Sequence, residues 1–272
     1  MIRNTKLSNG IEIPTIGLGT FNITDQNELE TAIKTYADAG TVLIDTASAY
    51  FNERAIGKAI KESGIPREKL FIQSKVWKTT MGYEETRKAL EATLRKMKLD
   101  YLDCYLIHWP LTEADDDNWK EINLNTWKSI EKSYENGLIR SIGISNHTKD
   151  EIDFLTQNSY CFPMIHQFEF HPGHLNHDLY NYCKTNKIKI ESSSPLGNGT
   201  LLENKDILRI AEEKNKTISQ IILRYCFQMD VIPVVRSKNR EHIQENLEIF
   251  DFELSDNEMN QLMEIKEIGA TY

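Results

Sequence analysis

Four polar residues that together could deliver a proton to a carbonyl oxygen follow successive apolar segments of the chain. Asp45, Lys75 and His108 each close an apolar run, and Tyr50 follows Asp45 after four intervening residues. A phenol has a pKa of about 10 in water, and a nearby ammonium lowers it. An aspartate would hold that ammonium in place, and a histidine would orient the carbonyl. The set suits protonation of a carbonyl oxygen while a hydride reaches its carbon.

Each of these residues also has an ordinary structural interpretation when it is taken alone. Asp45 could cap a turn, Lys75 could end a strand in solvent, and His108 could be a structural histidine with its hydrogen bonds satisfied. Their occurrence together at the ends of matching strands favours the chemical interpretation.

Short β-branched or apolar runs alternate with helical patterns along the chain, after a hairpin signal. Ser8–Gly10 separates two short alternating runs, and an Asn-Gly pair there is typical of a β-hairpin. We predict strands at Thr15–Leu18, Thr41–Asp45, Leu70–Lys75, Leu102–His108, Ile139–Ser145, Met164–Phe168, Lys187–Ser192 and Val231–Val235. The predicted helices include Thr126–Glu135 and a last one at Ser255–Ile265.

This alternation predicts the fold class. Strands separated by helices pair in parallel through right-handed crossovers, and eight such units in about 250 residues match a (β/α)8 barrel. We predict an α/β protein, a (β/α)8 TIM barrel with an N-terminal β-hairpin, as a single domain over residues 1–272. A doubly wound open sheet is the alternative. It usually carries Gly-x-Gly-x-x-Gly, and Gly17–Asn22 has only the first two of those glycines.

The composition excludes several classes of partner. The chain has 272 residues, with 32 Lys and Arg against 41 Asp and Glu, for a formal net charge of −9. Nucleic-acid binders normally present a basic surface, so we expect no nucleic-acid partner. No apolar run approaches the ~20 residues that span a bilayer, and the first residues lack the apolar core of a secretory signal. The four cysteines form no CxxC pair. We expect free thiols and a cytoplasmic protein with no membrane partner.

Seven segments resemble the aldo-keto reductase family, in the family's order and across nearly the whole chain. They are DTASAY at 45–50, SKVW at 74–77, LIHWP at 106–110, GISN at 143–146, QFEFHP at 167–172, SPLG at 194–197 and ENLEIFDF at 245–252. The chain looks like a short-loop member of the prokaryotic type. The resemblance implies a (β/α)8 barrel, NADPH or less often NADH as cofactor, and direct hydride transfer to a substrate carbonyl.

The resemblance also implies a role for each of the four polar residues. Tyr50 is the general acid, Lys75 lowers its pKa, and Asp45 pairs with Lys75. His108 orients the carbonyl. In the reverse direction, alcohol oxidation, Tyr50 would act as the base.

A cofactor site along the strand ends follows from the same resemblance. Ser145, Asn146 and Gln167 would hold the nicotinamide carboxamide, backbone N–H groups near Gly197 would meet the pyrophosphate, and Arg236 would hold a 2′-phosphate. The expected cofactor-binding residues are Thr20, Ser145, Asn146, Gln167, Ser194, Leu196, Gly197, Arg236, Ser237, His242, Glu245 and Asn246. The expected substrate-pocket residues are Phe21, Trp77 and Trp109.

Three positions depart from the family's pattern. Ser193 stands where a Tyr or Trp usually stacks on the nicotinamide ring, so Phe21 or Phe168 would substitute for it or the cofactor is held less firmly. His242 stands where an Arg is usual, so the charge there depends on pH. His147 stands where Phe is common, and we interpret it as a surface change without consequence.

Two further patterns bear on the site. His171, His174 and His177 are spaced three apart, but a Pro-Gly pair interrupts any helix there, and we expect no metal site. We expect the acidic loop Leu111–Asn123 to be a solvated face that also disfavours anionic substrates near the entrance of the pocket. One helix and about seven further residues follow Phe252, so we expect a short C-terminal loop and an open pocket.

These observations lead to one predicted function and two alternatives. We predict an NADPH-dependent oxidoreductase that reduces small aldehydes or ketones, with a small-molecule partner and a monomeric or weakly homo-oligomeric state. The first alternative is a sugar or polyol dehydrogenase that works in the oxidative direction. The second is a non-enzymatic cofactor-binding barrel, which Ser193 and His242 favour and the intact set of four polar residues disfavours.

Overall fold

The computed structural model describes residues 1–266 and begins with an antiparallel hairpin. Its strands are β1 (Asn4–Lys6) and β2 (Glu12–Pro14), as the Asn-Gly signal predicts. Leu7 and Ile13 are buried in one apolar cluster with Leu43 and Phe71. Burial of a large aliphatic side chain stabilises the folded state by about 1.5–3 kcal/mol. Leu7 and Ile13 therefore anchor the hairpin to the strands that follow.

Eight short parallel strands close into a barrel. They are β3 (Gly17–Gly19), β4 (Val42–Asp45), β5 (Leu70–Val76), β6 (Cys104–Ile107), β7 (Ile142–Ser145), β8 (Ile165–Glu169), β9 (Lys189–Ser193) and β10 (Val231–Val235). Each strand pairs with the next along the chain, and β10 pairs with β3. The (β/α)8 fold with an N-terminal hairpin is therefore confirmed, and the open-sheet alternative is wrong.

Helices surround the barrel and cover its outer face. They are α1 (Gln26–Ala39), α2 (Glu53–Ser63), α3 (Tyr83–Met97), α4 (Trp119–Glu135), α5 (Lys149–Gln157), α6 (His177–Thr185), α7 (Lys205–Lys214), α8 (Ile218–Gln228), α9 (Arg240–Leu247) and α10 (Asp256–Met263). Their apolar faces share one large core cluster with the outward-facing residues of the strands. This packing fixes the strand ends relative to one another.

Side-chain caps define where several helices begin. Thr148, Thr217 and Ser255 each accept a hydrogen bond from the backbone of the third helical residue, whose own side chain bonds back to the cap. Such a capping box satisfies backbone N–H groups that the helix leaves unpaired, and loss of an N-cap costs about 0.5–2 kcal/mol.

The largest boundary error of the sequence prediction lies in the loop before α4. The predicted helix starts at Thr126, whereas α4 starts at Trp119, and the acidic loop ends at Asn118 rather than at Asn123. Trp119 packs against the core, and the Asn123 side chain bonds both backbone groups of Leu111 at 2.9 Å. These tertiary contacts extend the helix into a segment whose polarity suggested a loop.

Further predictions concern the cysteines, membrane-spanning helices and the last helix. All four cysteines are free, as predicted. Within residues 1–266 no helix is both long enough and apolar enough to cross a membrane. The last helix predicted at Ser255–Ile265 is α10, and the predicted short tail reaches residues 267–272, which lie outside the described residues.

Candidate active site

A buried ion pair lies at the carboxyl ends of two neighbouring strands. Asp45 ends β4 and Lys75 lies near the end of β5, and both side chains point into the barrel. The Lys75 Nζ lies 2.7 Å from each carboxylate oxygen of Asp45 and donates to the Thr46 carbonyl at 3.0 Å. Lys75 is fully buried. Because a buried charge is costly without a partner, Asp45 is what allows an ammonium to remain at this depth.

The Tyr50 ring lies over that ammonium. A short 3-10 turn, Ser48–Tyr50, follows β4 and carries the ring to 5.2 Å from the Lys75 Nζ, measured to the ring centre. Burial raises the pKa of Tyr50, and the charge of Lys75 opposes that rise. Lys75 therefore lowers the pKa of Tyr50 as expected, but burial raises that pKa by more. Tyr50 holds its proton at neutral pH and is chemically an acid.

His108 follows β6 and faces the same space. Its ring centre lies 5.6 Å from that of Tyr50, edge to face. Burial, followed by the charge of Lys75, lowers the pKa of His108 to about 2, so the imidazole is neutral. Its Nδ1 is buried without a hydrogen-bond partner among the described residues. A neutral imidazole has one N–H donor and one acceptor nitrogen, so the ring can orient a polar ligand through a hydrogen bond while carrying no charge.

Two aromatic side chains form an apolar wall beside these groups. The Phe21 ring lies 5.1 Å from the Tyr50 ring, and the Trp77 ring lies 5.0 Å from the His108 ring. Phe21 is 53% exposed, which is unusual for a phenylalanine and leaves its face open to a ligand. The third predicted pocket residue, Trp109, is half-buried and borders a rim cavity of about 370 Å³.

The three residues expected at the carboxamide lie together, Ser145 at the end of β7, Asn146 directly after it and Gln167 on β8. Asn146 adopts a left-handed backbone conformation, with φ +60°, directly after Ser145. Its side-chain amide donates to the His108 carbonyl at 3.0 Å and to the Ser145 hydroxyl at 3.1 Å. The Gln167 amide nitrogen donates to Asp45 at 3.1 Å. These bonds hold a cluster of polar side chains beside the catalytic candidates.

The remaining candidates near the strand ends are placed differently. The Thr20 hydroxyl is buried and donates to the Asp45 carbonyl at 2.9 Å, so it fixes the backbone beneath the site. Ser194 and Gly197 both have positive φ, and the Gly197 N–H donates to the Ser194 carbonyl at 2.8 Å. A Cβ on Gly197 would lie 2.7 Å from the Thr200 hydroxyl, and the positive φ strains any other residue, so this tight turn favours a glycine. Leu196, between them in sequence, is half-buried.

A group of exposed polar residues follows β10. Arg236 is exposed and makes no ion pair within residues 1–266, whereas Lys238 pairs with Glu28 at 2.8 Å and Arg240 lies 4.0 Å from Asp38. The other predicted positions here are the half-buried Ser237, the exposed His242 and Glu245, and the buried Asn246. Arg236 is therefore the cation in this group that is left for a ligand.

Two expectations about individual residues are wrong. His147 is buried rather than on the surface, and its Nδ1 lies 2.8 Å from the Ser145 carbonyl. Its backbone N–H donates to the ring of His166, also buried, at 3.2 Å. Phe168 is buried in the outer core with its ring 4.7 Å from His166, since it alternates with the inward-facing Gln167. Phe168 is therefore unavailable to replace the missing aromatic at Ser193, which leaves either Phe21 or a cofactor that is held less firmly.

Only two of the three spaced histidines lie close together. The ring centres of His171 and His174 are 5.7 Å apart. His171 is buried and bonds Glu169 and the Pro172 carbonyl, while His177 is exposed on the first turn of α6. Within residues 1–266 no group of three or more His, Cys, Asp or Glu side chains is arranged to hold a metal ion.

The sequence reasoning missed two polar residues inside the barrel. Gln73 on β5 and Glu191 on β9 are fully buried and belong to the same network as Asp45. The signal was present, because both lie in predicted buried strands at positions where an apolar residue is expected. A charged residue in such a strand is uncommon unless it is paired.

Comparison with known proteins finds one family model and reductases among the similar proteins. The model of the aldo/keto reductase family matches residues 15–267. A glyoxal reductase of Bacillus subtilis is 44% identical over 257 residues, which cover 94% of this chain and 90% of that protein. A 9,11-endoperoxide prostaglandin H2 reductase of Trypanosoma cruzi is 37% identical over 264 residues, covering 96% and 90%.

Solved structures are similar over almost the whole chain. An aldo/keto reductase from Brucella melitensis has a TM-score of 0.90 at 35% identity, covering 98% of this chain and 100% of that one. A Bombyx mori aldo-keto reductase, solved in complex with NADP, has a TM-score of 0.89 at 30% identity, covering 97% and 93%.

Proposed function

Because the chain belongs to the aldo-keto reductase family, an oxidoreductase family, we propose that it reduces the carbonyl group of small aldehydes and ketones with hydride from NADPH. The observation that carries this proposal is the buried pair of Lys75 and Asp45 beneath the Tyr50 ring. A packed core needs no ammonium at that depth, whereas a phenol that gives its proton to a carbonyl leaves a phenolate, which a cation beside it stabilises.

The residues at the strand ends fit NADPH. Ser145, Asn146 and Gln167 supply the hydroxyl and amide groups that an uncharged carboxamide needs, and the Gly197 turn disfavours a side chain. Arg236 forms no ion pair with a carboxylate within residues 1–266. A free guanidinium suits a 2′-phosphate, which it can hold with charge-assisted bonds. NADPH, when bound, supplies a hydride to the substrate carbon.

The chain's own residues supply the proton and the orientation. Tyr50 gives its proton to the carbonyl oxygen, and Lys75 stabilises the phenolate that remains. His108, held neutral by burial, directs the carbonyl oxygen toward Tyr50 without competing as an acid. Asp45 keeps the ammonium of Lys75 in place throughout.

The geometry supports small uncharged substrates. Phe21 and Trp77 present apolar faces to the space beside Tyr50 and His108, which suits a short carbon chain. Exposed acidic residues lie on the loop that precedes α4, among them Asp116. They lower the local concentration of anions at the entrance. The similarity to a glyoxal reductase supports the same class of small reactive carbonyls.

Oxidation of NADPH by the purified protein tests the proposal. A panel of 4-nitrobenzaldehyde, glyoxal and simple ketones, offered with NADPH and with NADH, should give turnover with at least the reactive aldehydes. Binding of NADPH without turnover on any of them would favour a cofactor-binding barrel instead. Faster turnover of polyols with NADP+ than of aldehydes with NADPH would favour the dehydrogenase.

Coenzyme choice is expected to depend on Arg236. Replacement of Arg236 by Ala removes the unpaired cation and should raise the KM for NADPH by about tenfold or more, since a charge-assisted bond contributes about 1.5–3 kcal/mol. The KM for NADH should stay nearly constant, because NADH lacks the 2′-phosphate. Lys238→Ala is the matched control, since Lys238 already pairs with Glu28. Equal effects of both variants on NADPH would contradict the assignment.

A further inference from the structure

A network of side-chain amides connects the catalytic pair to a second buried carboxyl, that of Glu191. The Gln73 amide nitrogen donates to Glu191 Oε2 at 2.6 Å and to Asp45 Oδ1 at 2.8 Å. The Gln167 amide nitrogen donates to the same two oxygens, at 2.8 Å and 3.1 Å. Two amides therefore bridge Glu191 to the carboxylate that holds Lys75.

The charged and titratable groups that face Glu191 come from strands that do not pair with β9. Asp45 on β4 carries a negative charge that opposes ionisation of Glu191, and Lys75 on β5 carries a positive charge that favours it. Cys104 on β6 remains a thiol, because burial and the charge of Glu191 both raise its pKa. On the other side β10 contributes Ile232, which is buried and pairs in register with Glu191.

The balance of these effects leaves Glu191 able to change its charge near neutral pH. Burial, followed by the charge of Asp45, raises the pKa of Glu191 to about 7. Its Oε1 is buried with no hydrogen-bond partner among the described residues. An unpaired carboxylate oxygen is costly away from water, which agrees with a carboxyl that retains its proton well above the ordinary range.

We propose that Glu191 is a positioning residue for the reduction, on the premise that the proposed function is correct. Through the two bridging amides it holds Asp45 against Lys75, and its charge controls how readily Tyr50 releases its proton. When Glu191 is protonated, Lys75 is free to stabilise the phenolate. When it is ionised, a second negative charge beside Lys75 disfavours that phenolate, so reduction slows as the pH rises.

Single-turnover reduction of 4-nitrobenzaldehyde by the enzyme–NADPH complex tests this inference. Between about pH 5.5 and about pH 8.5 the wild-type rate should fall by about three- to tenfold, because up to one pK unit of charge interaction is lost. In Glu191→Gln, which is neutral at every pH, the rate should stay constant. Glu131→Gln is the matched control, since Glu131 is buried on α4 and accepts only backbone N–H groups of residues 160 and 161 among the described contacts. If the rate in Glu191→Gln falls with rising pH as the wild-type rate does, the inference is wrong.

A second variant keeps the test decisive if Glu191→Gln does not fold. Gln73→Leu removes one amide that stabilises the Glu191 carboxylate, so the descent in rate should move to higher pH. A purely structural role for the network would lower the rate at all pH values without moving the descent. If the rate falls at the same pH in Gln73→Leu as in the wild type, the amides do not connect Glu191 to Asp45 in the way proposed.

A readout that needs no turnover separates this inference from the proposed function. In the protein labelled with [δ-13C]glutamate, the resonance that disappears in Glu191→Gln should titrate near neutral pH. If it does so while no carbonyl is reduced, the proposed function is wrong but the charge change of Glu191 stands. If it does not titrate between about pH 5.5 and about pH 8.5, the inference is wrong even in an active reductase.

Discussion

Replacement of Tyr50 by phenylalanine is expected to lower the rate of carbonyl reduction by about 10²–10⁴-fold, the usual contribution of a positioned acid. The ring, its packing against Phe21 and its place over Lys75 would remain, and only the hydroxyl would be lost. The affinity for NADPH should therefore stay near that of the wild type. Single-turnover rates and fluorescence titration of NADPH check the two halves of this expectation.

A matched control separates loss of the acid from loss of any phenol. Tyr160 is exposed, and its hydroxyl donates to Glu135 on the outer surface. Tyr160→Phe should leave both reduction and NADPH affinity unchanged. If Tyr50→Phe loses NADPH affinity as strongly as it loses rate, Tyr50 is part of the cofactor site and its assignment as the acid is wrong.

Replacement of Lys75 by methionine is expected to damage both activity and stability. Methionine fills a similar volume, but it leaves the Asp45 carboxylate buried without its cation. Removal of one partner from a buried ion pair costs about 3–5 kcal/mol of the free energy of unfolding, and the phenolate of Tyr50 loses the charge that stabilises it. Urea denaturation and single-turnover reduction measure the two effects.

The exposed pair of Lys78 and Asp115 offers the comparison. Its atoms are also 2.7 Å apart, but both side chains contact water, so Lys78→Met should cost less than about 1 kcal/mol. The double variant Asp45→Asn with Lys75→Met should regain part of the lost stability while remaining inactive, because no uncompensated charge stays buried. Equal losses in Lys75→Met and Lys78→Met would mean that Lys75 is not a buried cation.

The fold was predictable because its signals are local and repeated. Alternation of β-branched runs with helical periodicity specifies a parallel sheet, and the count of eight specifies closure. The boundary of α4 was not predictable, because it depends on the packing of Trp119 against the core and on the bonds of Asn123 to Leu111 at the other end of the same segment. Polarity of a segment does not reveal which of its side chains make such contacts.

Part of the candidate site was likewise predictable from the sequence, and part was not. Asp45 and Lys75 were placed together correctly, since equivalent ends of adjacent parallel strands lie side by side. His147 was placed on the surface, because one sequence does not show which residues after a strand turn inward. Glu191 was missed because its hydrogen-bond partners come from two other strands, β5 and β8, and such a network exists only once the barrel closes.

The two buried imidazoles behind Ser145 limit how the protein tolerates acid. Burial lowers the pKa of His147 to about 4 and holds that of His166 well below its usual value. In the unfolded chain both rings bind a proton at about pH 6.5. Between about pH 6.5 and about pH 4 the unfolded chain therefore binds more protons than the folded one, and stability falls by up to about 1.4 kcal/mol per pH unit for each ring.

Glu191 responds to acid in the opposite direction. Its raised pKa means that the folded protein takes up a proton between about pH 7 and about pH 4.5 that the unfolded chain does not, which adds stability as the pH falls. His108, whose pKa burial also lowers, acts in the same direction as His147 and His166, so three imidazoles act against one carboxyl and dominate. Acid is therefore expected to destabilise the shell around His147 and His166, directly behind the polar residues proposed to hold the nicotinamide.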